Sequence, residues 1–385
     1  VESKVRILAV SVINGSARPI GDRVWTFIGQ VAWLGDGSGV VFHAWSRSSA
    51  VYGDPVWLLS YPGGEARPIT NDLTNYEGVS VSADSRVLVT RRITRVSHFW
   101  VMPVKDARGA VPVESQAKQL HSSSLGDNFS EALGLDWTPE GRVVYASQAS
   151  GNLEIWETAM DSEKQLTRGH STDMLPAASA QSREIVFVSD RSGHSNIWRM
   201  DLDGGNPKQV THGRGDFSPS LSPDGRWVVY SSWSDGQEAL WKTPISGGEP
   251  ERIVQNSNLR PVVSPDGKWI AYSYRDKNDY NLKVAVMPFA GGESRVIEGM
   301  ASPEFGLIRW SPDSRALTYI ITREGISNIW SQPIAGGEPK QLTGFKTDRI
   351  FRFAWSQDGK YLACERGLMI KDIVLIGASP SPFKS

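Results

Sequence analysis

The chain has 385 residues, with 41 Lys plus Arg against 42 Asp plus Glu and a formal net charge of −1. That balance lacks the basic face a nucleic-acid partner requires, and no stretch approaches the roughly 18 apolar residues of a membrane-spanning helix. A single cysteine, Cys364, excludes an intrachain disulfide and leaves the redox compartment open.

The chain opens at Val1 without an initiator Met or a charged-then-apolar leader. A removed leader, or a whole upstream domain, is therefore expected before it. Gly15-Ser16-Ala17-Arg18-Pro19-Ile20 nearly repeats Gly64-Glu65-Ala66-Arg67-Pro68-Ile69, so the chain starts inside a repeat.

The repeat announces itself through a turn, clearest at Ser222-Pro223-Asp224-Gly225 and Ser264-Pro265-Asp266-Gly267. Weaker copies start at Leu34, Ser82, Thr138, Ser179, Ser311 and Ser356. Their spacing of roughly 40 to 56 residues is that of a propeller blade. Pro presets φ at the second turn position, Asp tolerates the bridge region and Gly accepts positive φ.

Each copy reads as four strands, A to D. Strand A precedes the turn and is small and apolar; strand B follows it and ends on an aromatic, as at Phe42, Phe187, Tyr230, Tyr272 and Tyr319. Cys364 holds that position in the last copy, so a buried, inert thiol is expected there. Strand C carries an apolar-Trp pair, from Val56-Trp57 and Phe99-Trp100 to Ile329-Trp330, with Val284-Ala285 and Ile373-Val374 replacing it in copies six and eight. Gly pairs such as Gly247-Gly248 lead into strand D, written Lys164-Gln165-Leu166-Thr167 or Lys340-Gln341-Leu342-Thr343, a polar edge that discourages sheet-to-sheet association.

Eight A strands predict an all-β propeller of eight four-stranded blades, with seven as the alternative, forming one domain over residues 1–385. Residues 1–20 would supply closing strands, residues 21–377 the blades and residues 378–385 a loose tail. The last copy lacks a D strand, and Ala17 to Ile20 is expected to complete it. Arg6 to Val12 also reads as a C strand, so it competes with Ile373-Val374 for one place. Arg91 to Arg95 reads as the exposed end of a B strand and its loop, and Lys105 to Glu114 as a surface insertion.

The Ser-Pro-Asp-Gly, Ile-Trp and Gly-Gly-Glu-Pro-Lys-Gln-Leu-Thr pattern resembles the TolB-type β-propeller repeat, also called PD40 and WD40-like. Ile69-Thr70-Asn71-Asp72-Leu73, Ser327 to Pro333 and Phe345 to Phe351 are similar to the C-terminal propellers of bacterial serine/threonine kinases and winged-helix regulators. The resemblance implies a sensor or interaction module of a longer regulatory protein, in a periplasmic or otherwise extracytoplasmic place. No kinase motif and no Gly-x-Ser-x-Gly elbow occurs, so no catalysis is expected.

Propellers bind at one mouth of the channel, through the loops leading into each A strand and those joining B to C. The candidate binding residues there are Arg168, His170 and Asp173, then His212 and Asp216, then Arg260, Asp348 and Arg349. Asn256, Asn258, Lys277 and Asp279 lie in the same class of loop. The expected partner is a protein or peptide, or a small molecule at the channel mouth, with no cofactor. Two alternatives remain. One is a metal-dependent lyase or hydrolase, with His170 and His212 at matched spacing from Asp173 and Asp216. The other is a periplasmic TolB-like accessory protein that docks a peptide in its channel.

Overall fold

The computed structural model describes residues 5–25, 27–45, 55–70, 75–105, 112–120, 134–159, 162–233, 237–255, 260–276, 281–304 and 307–377. Asn71, Asp72, Asn256, Asn258, Lys277, Asp279, most of the 105–114 insertion and the tail 378–385 lie outside them. The described residues form antiparallel sheets throughout, and each of the eight expected repeats contributes strands to them. They fall into two compact units, Ser97–Leu368 and Val1–Val96 with Met369–Ser385.

In the larger unit, five consecutive repeats make four-stranded sheets in strict A-B-C-D order. We call them blades I to V, with A strands Leu135–Trp137, Asp173–Ala177, Asp216–Leu221, Arg260–Val263 and Ile308–Trp310. Blade VI takes A from Arg349–Trp355 and B from the first half of Tyr361–Gly377. Its C strand is the second half of Val87–Pro103, and its D strand is Lys118–Gln119.

Hydrogen bonds between neighbouring blades close a ring of six. Ala178 N donates to Asp136 Oδ2 at 3.1 Å, Asn196 Nδ2 to Asp216 Oδ2 at 3.1 Å, and Val263 N to Ser220 Oγ at 3.0 Å. Three indoles finish the circuit: Trp310 Nε1 donates to Val262 O, Trp355 Nε1 to Thr318 Oγ1 and Trp137 Nε1 to Ala354 O, each at 3.0 Å. The wedges between blades are filled by the large B- and C-strand residues. Phe99, Tyr145, Leu135 and Ala363 form one such cluster, and Met102, Ile320, Phe353 and Cys364 another.

The smaller unit holds a four-stranded sheet, Phe27–Trp33, Gly39–Trp45, Val56–Ser60 and Ala66–Pro68, and a hairpin, Leu8–Val10 with Ala17–Pro19. A further sheet pairs Asn75–Val81 with residues 87–96 and these with residues 369–377, where Arg92 meets Asp372 at 3.1 Å. Trp25 is buried edge-on to Phe42, with centroids 5.1 Å apart.

Three expectations change. The last blade is completed from the N-terminal side, but by residues 97–103 and 118–119; Ala17–Pro19 pairs with Leu8–Val10 instead. Arg91 to Arg95 is no strand end, because it lies inside the 17-residue strand Val87–Pro103. Ile373-Val374 is no separate C strand, because Tyr361–Gly377 also runs for 17 residues without a turn. The cause is local: Arg91 to His98 carries β-branched residues and no Gly, Pro, Asn or Asp, so nothing reverses the chain there. Blades I to V have such residues at that point, as in Gly151-Asn152, Asp190 to Gly193 and Gly325.

Candidate functional site

The six A strands of the larger unit surround a cavity of about 210 Å³. Most of its lining follows the repeat, with small or apolar residues where the strands crowd together. Four charged side chains interrupt that pattern: Asp136 from blade I, Arg260 from IV, Arg309 from V and Arg352 from VI.

Each is held differently. Asp136 accepts from Trp137 N at 2.9 Å and from Ala178 N at 3.1 Å. Burial pushes its carboxyl above the usual range, and Arg309 opposes that shift. Arg309 donates to Ile308 O at 3.2 Å and to Leu135 O at 3.3 Å, and burial lowers its own basicity. Arg352 is almost fully buried and paired with Glu365, which also accepts from Ser97 Oγ. Its other nitrogens reach Gly134 O at 2.6 Å and Ala146 O at 3.4 Å. Arg260 is half-buried.

Hydroxyls complete the lining. Ser179 is 4 % exposed, and its Oγ has no hydrogen-bond partner among the described residues. Leu175 and Ser218, at matched positions of blades II and III, have φ of 53° and 52°. Both sit at bulges in their A strands, so two non-glycine residues are held in the left-handed region at the cavity wall.

Of the eight residues expected at the channel mouth, Arg260 is the one that lines this cavity. Arg168, His170 and His212 are exposed on their loops. Asp173 and Asp216 are turned inward instead. Asp173 is fully buried and pairs with Arg191 at 2.7 Å, whose guanidinium lies over Phe187 and Trp198. Asp216 accepts from Asn196 and from Gly213 N at 3.2 Å. Asp348 meets Arg366 at 3.5 Å, and Arg349 meets Glu304 at 3.4 Å. His170 and His212 are thus exposed, while the carboxylates that follow them in sequence are buried. Among the described residues no three His, Cys, Asp or Glu gather closely enough to hold a metal ion.

Asp136, Arg309 and Arg352 lie on A strands, outside the loops that the repeat pattern singles out. The signal is present in the sequence: the A-strand position two before the first turn residue reads Asp136, Ala177, Ser220, Val262, Arg309 and Ala354. Two opposite charges stand there among small and apolar residues.

Comparison with known proteins agrees with this architecture. Residues 139–281 match the family described as the dipeptidyl peptidase IV N-terminal region. An uncharacterised protein of Agrobacterium fabrum is 27% identical over 163 residues, 39% of this chain and 51% of that relative. The Tol-Pal system protein TolB of Helicobacter hepaticus is 39% identical over 67 residues, 17% of this chain and 16% of its own length. The chain thus spans about half, or less, of the curated relatives it matches. Among solved structures, a TolB from Agrobacterium tumefaciens superposes with a TM-score of 0.55 at 17% identity, over 71% of this chain and 99% of that one. A nidogen–laminin complex gives 0.50 at 11% identity, over 71% and 98%. The likeness and the hydrogen-bonded ring together show a TolB-like β-propeller fold.

Proposed function

We propose that the larger unit is a non-catalytic recognition module that binds an extended peptide or a protein segment at its channel. The observation carrying this reading is the cavity itself. It is preformed by six A strands, walled by charged side chains and hydroxyls, and too small for a folded partner. A site built on packed strands binds with little rearrangement. The role of sensor or interaction part of a bacterial regulatory protein, and an extracytoplasmic place, belong to the same reading; the resemblance of the repeat to TolB-type propellers supports them.

A displayed random-peptide library panned on the purified chain tests it. We expect a consensus peptide whose binding is lost when Arg309 is replaced by Gln. Recovery of no consensus, or chemical change of the bound peptide, would overturn the reading.

A further inference from the structure

A second cavity, of about 1060 Å³, lies within the larger unit. It follows the seam where blade VI meets blade I, between Val101, Pro103 and Lys118 of the one and Pro139, Val143 and Thr158 of the other. Ala180, Ser356 and Gln357 belong to both cavities, so the groove and the central cavity adjoin at the A–B turns. Gln357 marks the junction. The repeat has Pro at this turn position in blades I, III, IV and V, as Pro139, Pro223, Pro265 and Pro312. Gln357 reaches across instead, its Nε2 donating to Trp137 O of blade I at 3.0 Å and to Ala178 O of blade II at 3.5 Å.

Two features of the groove select its occupant. Tyr361 stacks on the buried Trp137, with ring centroids 6.3 Å apart and 27° between planes, and is itself 44 % exposed. Its backbone N donates to Ser356 Oγ at 2.9 Å, and its hydroxyl has no partner among the described residues. An exposed aromatic face with a free donor matches a proline ring and the carbonyl before it, and a polyproline II segment arrives already extended. Charge supplies the second feature. Lys118 and Asp358 are the charged residues of the lining. Asp358 is matched by Lys360 Nζ at 3.0 Å, whereas Lys118 has no ionic partner among the described residues. The groove therefore offers one unmatched cation, on the exposed two-residue D strand of blade VI.

We propose that this seam groove receives an extended, proline-containing acidic peptide, with Tyr361 holding a proline and Lys118 a carboxylate. Gln357 keeps the occupant beside the central cavity. The inference rests on the recognition reading and names the class of peptide recognised. A rim cation screened by water adds less affinity than the aromatic contact, so the proline is the stronger determinant.

Calorimetric titration with acetyl-Glu-Ala-Pro-Pro-Ala-Glu-amide tests it, beside one control with Ala for both prolines and another with Gln for both glutamates. Glu at each end makes the probe indifferent to the direction of binding. We expect the Ala control to bind about tenfold more weakly and the Gln control about threefold. Tyr361→Ala removes the preference for proline and keeps that for Glu, while Lys118→Gln does the reverse. Both sites are exposed, and an unchanged melting temperature shows that each variant is folded. No binding of the probe at millimolar concentration, or preferences that survive both substitutions, overturns the proposal. Library-selected peptides that bind both variants as tightly as the native chain, yet are lost with Arg309→Gln, would overturn it too, leaving the recognition reading standing.

Discussion

The turn of each repeat shows how single residues trade one preference for another. In the Ser264-Pro-Asp-Gly copy, Asp266 Oδ1 accepts from Ser264 Oγ at 2.6 Å and from Lys268 N at 3.1 Å, and Gly267 takes φ of 70°. Ser314 occupies the Gly place in blade V at φ of 59°, where its Oγ accepts from Asp266 N of blade IV at 3.0 Å. A non-glycine residue in that region costs about 1 kcal/mol, and the bond returns about as much. Ser314→Gly should therefore change the urea midpoint little. Ser314→Ala keeps the strain and loses the bond, so it should cost about 1–2 kcal/mol.

A second residue-scale prediction concerns pH. Glu154 stands where blade II has Asn196, and burial pushes its carboxyl above the ordinary range, with Asp173 adding to the shift. Thr167 Oγ1 donates to it at 2.6 Å, while Asp173 Oδ1 lacks another partner among the described residues. Below about pH 4 the side chain is neutral in both folded and unfolded chains, and no penalty arises. As pH rises past the ordinary Glu value, the unfolded chain ionises first and stability falls. Glu154→Gln, whose amide can donate to Asp173, should raise the melting temperature at pH 7.5 and leave it unchanged near pH 4. An equal gain at both values would remove Glu154 as the source.

At the scale of elements, blade VI depends on one buried carboxylate. Glu365 joins Ser97 of the C strand to Arg352 of the A strand, and Arg352 in turn reaches the backbone of blade I. Glu365→Gln leaves a buried guanidinium uncompensated, which should destabilise by about 3–5 kcal/mol in urea unfolding. Replacing Arg352 and Glu365 together by Met and Leu should recover most of that loss, since a buried ion pair is worth little over a packed apolar one. Failure of the double variant to recover would show that Arg352's contacts to Gly134 and Ala146, rather than the pair, hold the blades.

For the larger unit as a whole, Cys364 is a built-in reporter. It is fully buried in the cluster shared by blades V and VI, and burial pushes its thiol up to about 12. Native protein at pH 8 should resist thiol labelling, and labelling in urea should share its midpoint with the loss of β-sheet signal. Earlier labelling would mean that blade VI opens by itself. The blades were legible in the sequence because each is made of strands adjacent along the chain, and Pro-Asp-Gly turns, Trp pairs and Gly pairs are local signals. What joins Ser97 to Glu365 is not local. The pattern marks Phe99-Trp100 as a C strand without saying which B strand it meets, and Ala17 to Ile20 looked equally able to fill an empty place. The charged cavity residues were hidden for a different reason: Asp136 and Arg309 sit on strands, and only the closed ring brings them to one cavity.

The ring's closure also sets a timetable for the nascent chain. Ser97 and Glu365 are 268 residues apart, and at ribosomal speeds of about 5–20 residues per second the second emerges tens of seconds after the first. Through that interval Phe99 and Met102, both fully buried once folded, wait without the strand that covers them. Five blades can stack in order as they leave the ribosome, yet the first strand of the circle stays an open seam, attractive to any other extended segment. Synthesis of this molecule therefore has one vulnerable stretch, and it ends when the last blade arrives.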